Sequence, residues 1–155
     1  MFLTRLRSFS RLAGEEQRLA LRALAWIAVV RICLALFKFT RVRALVSGSR
    51  RDDGTPGSAR AAEWPAMVRR AVLRASRSLP GTTCLAQSLV AERLLRAGGC
   101  DARLSIGVAH AMAGGAAGAA RKSIDAHAWV ESGGLLVTGD DTHERYEVLA
   151  TYGGE

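Results

Sequence analysis

Leu, Ala, Val and Ile recur at spacings of three and four from residue 15 to residue 46, which predicts helix, broken at most once. Arg18, Arg22, Lys38, Arg41 and Arg43 flank the apolar positions. The stretch "SGSRRDDGTPGSARAA" carries Gly, Ser, Pro and charge without periodicity and reads as a linker. A second helix is expected from Glu63 to Arg77, with Pro65 in its first turn. "LPGTT" stops it, and a third helix is expected from Thr83 to Ala97, closed by Gly98 and Gly99.

The period then changes from helical to two. "ARLSIGVA" (102–109) alternates as a strand, and the small-residue stretch 109–123 reads as a loop. "IDAHAWVE" (124–131) and "LLVTGD" (135–140) are expected strands joined across Ser132, Gly133 and Gly134, and "RYEVLA" (145–150) is a last strand. Helices first and antiparallel strands second make an α+β layout. The expected organisation is a helical N-terminal region over 1–47, a linker over 48–62 and a catalytic-size domain over 63–155.

Charge is split along the chain. Residues 1–78 hold 16 Lys/Arg and 5 Asp/Glu, whereas residues 79–155 hold 6 and 9. A basic half suits nucleic acid, an anionic membrane surface or an acidic peptide, or is simply a solvated arginine-rich face. The basic residues are not interleaved with aromatics, so nucleic acid is not expected as a partner. In "LALRALAWIAVVRICLALF" (19–37), Arg22 and Arg31 leave an uninterrupted apolar run only from Ala23 to Val30. That is short of the ~20 residues of a bilayer span. A buried or partner-facing helix is expected, with peripheral membrane contact left open by the basic flanks.

The three cysteines, Cys33, Cys84 and Cys100, are odd in number and irregularly spaced. No disulfide framework follows, and a reducing, cytoplasmic setting is expected. No short Cys/His ligand pair exists, so neither a metal nor any other cofactor is expected.

Cys84 carries the candidate chemistry. With Thr82 or Thr83 as cap it lies in the first turn of a helix, where unpaired N–H groups and the helix dipole favour a thiolate. His127 lies in the alternating strand "AHAWVE". If Ser132 faces Leu135 across the glycine turn, paired residue numbers sum to 267. Val130 then faces Val137, and His127 faces Asp140 on the same sheet face. A one-residue slip substitutes Asp141 for Asp140. An imidazole beside a carboxylate and a thiol at a helix start suggest acyl transfer: Cys84 as nucleophile, His127 as base, Asp140 as orienting acid, and the Cys84 N–H as oxyanion donor. Against this stands a core histidine packed beside Trp129. His110, beside the Gly/Ala stretch, and His143, in a turn, are expected at the surface.

"LPGTTCLAQSLVAERLLRAGGCDARLSIGVA", "AHAWVE" and "LLVTGDD" together resemble the transglutaminase-like cysteine peptidases of lasso-peptide biosynthesis. More narrowly, they resemble the standalone leader peptidase of split bacterial systems. The resemblance covers about residues 64–150. It implies a transglutaminase-like, papain-like fold with a Cys-His-Asp triad at Cys84, His127 and Asp140. It further implies a precursor peptide as substrate, a separate leader-recognition protein and an ATP-dependent lasso cyclase as partners.

Overall fold

A computed structural model of the chain describes residues 14–47, 58–112, 122–139 and 143–154. Helix α1 spans Gly14–Leu36 and α2 spans Phe39–Ser47. The single break expected in this apolar stretch falls at Phe37 and Lys38. Phe37 N still donates to Cys33 O at 2.8 Å, and Lys38 O then accepts from Arg41 N and Val42 N to start the next helix. Helix α3 spans Ser58–Ser78, so it begins five residues before the expected start. Pro65 therefore sits well inside the helix rather than in its first turn. It removes one intrahelical bond, but the flanking apolar face of Trp64, Val68, Ala71, Val72 and Ala75 is buried and holds the helix in place.

Helix α4, Cys84–Ala97, is the hub of the helical layer. It packs on α1, α2 and α3 and on three strands of the sheet. Several of its sides must therefore be apolar, and Ala86, Leu89, Val90, Ala91, Leu94 and Leu95 are all buried. Its C-terminus closes as the glycines predict: Gly98 N donates to Leu94 O and Leu95 O, and Cys100 N to Leu95 O. Gly98 is also needed for space. Trp64 Nε1 donates to Leu94 O at 3.0 Å, and a Cβ on Gly98 would overlap the indole.

The sheet is four-stranded and antiparallel, in the order β3-β2-β1-β4. Strands β1 (Arg103–Met112) and β2 (Lys122–Ser132) are longer than their alternation suggested, taking in residues 109–112 and 122–123 assigned above to a loop. The small side chains there weakened the sequence signal, but backbone pairing continues out to Met112 and Lys122. Strand β3 is short, Leu135–Thr138; a 3₁₀ turn at His143–Arg145 leads to β4, Glu147–Tyr152. The helices cover one sheet face. Leu104, Val130 and Val137 join the helical core made by residues such as Ile27, Val30, Val72, Leu89 and Leu95.

One charged group lies within this apolar layer. Glu92 of α4 has no exposed side-chain surface. Its Oε1 receives Arg96 Nη2 at 3.1 Å, Arg43 Nη2 at 3.7 Å and the Ser47 hydroxyl at 3.3 Å. Oε2 has no hydrogen-bond partner among the described residues. Burial pushes the Glu92 carboxyl above its ordinary value of 4.5; the two guanidinium groups and Ser47 oppose the shift but do not cancel it.

Two predictions follow from this packing. Gly98→Ala should lower the unfolding free energy by about 1–3 kcal/mol through overpacking against Trp64, measured by urea denaturation. Glu92 holds its proton to higher pH in the folded than in the unfolded chain, so its contribution to stability is complete below about pH 4.5 and is lost as pH rises through the folded value. In urea titrations from pH 4 to 8, the stability of the native chain relative to Glu92→Gln should therefore fall as pH rises.

Candidate active site

Thr83 caps α4. Its hydroxyl accepts from Ala86 N at 3.3 Å and its carbonyl accepts from Gln87 N at 3.1 Å. Thr82 does something else: its hydroxyl donates to Leu79 O at 2.7 Å and braces the preceding turn. Cys84 is consequently the first residue of the helix, half-buried, on a turn whose leading N–H groups have no intrahelical acceptor. The Pro80–Gly81 turn before it is held from α1, where Arg31 Nη1 donates to Pro80 O at 2.9 Å.

One turn along α4, on the same helix face as Cys84, is Ser88. It is fully buried. Its hydroxyl lies 3.0 Å from Ala128 O, to which it donates, and 3.0 Å from Thr138 Oγ1. Ser88 thus ties α4 to β2 and to the end of β3 at once. Among the described residues β3 pairs with Ser132, Glu131 and Val130 of β2, and Gly139, just beyond it, runs on beside Trp129, where a Cβ on the glycine would meet Trp129 Cβ at 2.7 Å. Cys84 lies one turn, about 6 Å, back along the helix from Ser88, and His127 directly precedes the anchored Ala128.

The expected β2–β3 register holds only next to the turn. Ser132 pairs with Leu135 and Glu131 with Leu136, but Val130 pairs with Thr138 and not with Val137. Val137 is the extra residue of a bulge, and its side chain enters the helical core. The bulge lets Val137 and Thr138 both be buried, one in the core and one on Ser88. The count that set His127 opposite Asp140 therefore does not carry past Val130. Asp140 and Asp141 themselves lie outside the described residues. Gly139, just before them, passes close to the imidazole: a Cβ on it would lie 3.5 Å from His127 Nε2.

His127 is half-buried and pairs with Gly107 of β1. Strand alternation turns its ring to the face opposite Ala128 and Val130. There it stacks on Tyr146, with ring centroids 5.1 Å apart, and on Trp129 at 6.2 Å. Gly107 makes room for this group, since a side chain there would press on Tyr146, Trp129 and the Glu147 carbonyl. Tyr146 donates its hydroxyl to Asp125 Oδ2 at 2.7 Å, so the ring beside His127 is itself fixed. Tyr146, Asp125 and Gly107 carried no signal in the sequence, because their relation to His127 runs across three strands. His143 is not a bare surface residue: its ring packs on Trp129 at 5.6 Å. His110 belongs to β1. Among the described residues no hydrogen bond joins Cys84 to His127. What relates them is the Ser88 anchor, with Cys84 one turn back along α4 and His127 next to Ala128.

The other thiols have different surroundings. Cys33 packs against the core. Burial, and then the charge of Asp101, push the Cys100 thiol up. Cys100 lines a cavity of about 480 Å³ with Arg96, Ala102 and Gly153, at the far end of α4 from Cys84. A depression of about 320 Å³, lined by Trp129, Ser105, His143 and Tyr146, lies on the sheet face that His127 shares.

A nucleophile-type residue opening a central helix, that helix docked on an antiparallel sheet, and a histidine beside the docking point form a pattern with a matching family description. The transglutaminase-like superfamily matches over residues 24–151. The chain belongs to that superfamily. Its fold is that of cysteine-dependent acyl-transfer enzymes and peptidases. The match begins within α1 and ends in β4, so it takes in the N-terminal helices as well as the sheet. No curated protein and no solved structure matches the chain.

Ser88→Ala should leave the Ala128 carbonyl without its Ser88 donor, at a cost of about 1–3 kcal/mol in urea denaturation. Loosening α4 on β2 should also lower the turnover of any acyl-transfer activity more than it changes KM.

Proposed function

We propose that this chain is a cysteine peptidase that removes the leader from a ribosomally made lasso-peptide precursor. The observation that supports the proposal is the Ser88 anchor, which docks α4, the helix that Cys84 opens, on Ala128, the residue after His127. In this reading the Cys84 thiolate attacks the scissile carbonyl, and the Cys84 N–H stabilises the oxyanion. The amine leaves with a proton from His127, giving a thioester. Water, losing its proton to His127, then hydrolyses the thioester and frees the leader carboxylate. Gly139 lies beside Nε2, and the two aspartates that follow it supply the orienting carboxylate in this reading: Asp140, or Asp141 if the slip at Val130 continues along the strand.

The core peptide's new α-amino group becomes the substrate of a separate ATP-dependent cyclase, and a separate protein presents the leader. Mixing precursor peptide, recognition protein and this chain, followed by mass spectrometry, tests the assignment. Hydrolysis should give two fragments whose summed mass exceeds the precursor by one water. A joined amine would instead indicate transamidation, and no product a non-catalytic adaptor. Cys84→Ala and His127→Ala should each lower cleavage by about a thousandfold or more. One of Asp140→Asn and Asp141→Asn should lower it far more than the other, which identifies the orienting carboxylate. Full cleavage by Cys84→Ala would remove Cys84 as the nucleophile.

A further inference from the structure

Helix α1 is apolar on two opposite faces. Leu19, Ala23, Ile27 and Val30 are buried in the helical core. On the other side Leu21, Ala25, Ala28, Val29, Ile32 and Leu36 follow one another at helical spacing, and all are exposed. Ile32 is 61% and Leu36 70% exposed, and Phe37, beyond the helix end, is 52% exposed. A surface helix of a water-soluble domain normally carries polar residues on that side. The charges here lie at the ends of the stripe: Arg18 and Arg22 at its start, Lys38 and Arg41 just after it, all exposed. No Asp or Glu occurs between residues 17 and 47.

We infer that the α1–α2 face of this chain lies flat on an anionic membrane surface. Although Arg22 and Arg31 interrupt its apolar run, α1 as a whole is, against the expectation from that run, long and apolar enough by length and composition to cross a bilayer. Its inner face, however, is packed on α3 and α4, so the helix meets lipid from the side and stays in the interfacial plane. The exposed aliphatic stripe enters the headgroup boundary, and the basic residues at both ends select anionic lipid. A basic fringe of this kind favours acidic headgroups over a second copy of the same chain, which would bring equal charges together. The consequence reaches the candidate site, because Arg31 on this helix holds the Pro80 turn that leads into Cys84.

The test is co-sedimentation of the full chain with phosphatidylcholine vesicles and with vesicles of phosphatidylcholine and phosphatidylglycerol at 3:1. The anionic vesicles should retain the chain at least tenfold better, and added salt should weaken the retention. The double variant Ile32→Gln/Leu36→Gln, its fold checked by circular dichroism, should lose about tenfold in binding. Arg18→Gln/Arg22→Gln should reduce the preference for anionic vesicles. Equal retention on both vesicle types would overturn the inference. So would unchanged binding of the Ile32/Leu36 variant, or a dimer in solution that this variant dissociates while the native chain ignores vesicles.

Discussion

A single hydroxyl, that of Ser88, fixes the helical layer to the sheet where the helix that Cys84 opens meets the strand that carries His127. Apolar packing alone sets α4 against β2 only loosely, because contacts among Leu89, Val130 and Leu104 are non-directional. Ser88 has two partners on two strands, and both are buried. That fixes the advance of the helix along the strand, and with it the height of Cys84 relative to His127.

The docking point of α4 lies at the end of the described β2–β3 pairs rather than at their centre. The bulge at Val137 does two things together: it gives the core one more apolar side chain and turns Thr138 toward Ser88. His127 is held from the other face by Tyr146 and Trp129, with Gly107 leaving space for the stack. An imidazole fixed between aromatic rings keeps one orientation, which a proton-transferring base requires. The helical layer and the outer aromatic group thus act on neighbouring residues of the same strand.

Much of this was readable in the residues, for identifiable reasons. Thr83 as cap, Cys84 as first helical residue and Gly98–Gly99 as the stop depend on local backbone chemistry, and local chemistry is written in adjacent positions. The glycine turn at 133–134 fixed the first two pairs of the β2–β3 ladder for the same reason. The bulge escaped detection because Val137 and Thr138 both suit a strand; what decides between registers is which of them the core accepts. Ser88 and Glu92 were invisible for a related reason. On a helix surrounded on several sides, a serine or a glutamate looks like the solvent-facing residue of an amphipathic pattern. Only the neighbours, Ala128 and Thr138 for one and Arg43, Ser47 and Arg96 for the other, show that both are buried.

Glu92 and the outer face of α1 are departures from simple patterning in opposite senses, a charge inside and a stripe of aliphatics outside. The first has its compensation within the molecule. Arg43 comes from α2 and Arg96 from α4, so the carboxyl joins α2 to the hub helix. Arg93 adds to the same seam, donating to Val46 O and lying over the Trp26 ring. The second has no compensation among the described residues. Glu92 ties α2 to α4, Arg93 of α4 lies over Trp26 of α1, and Arg31 of α1 holds the Pro80 turn, so anything that binds the outer face of α1 bears on the helix that supports the start of α4. A surface contact there would then set the orientation of the Cys84 turn itself, rather than merely tether the protein.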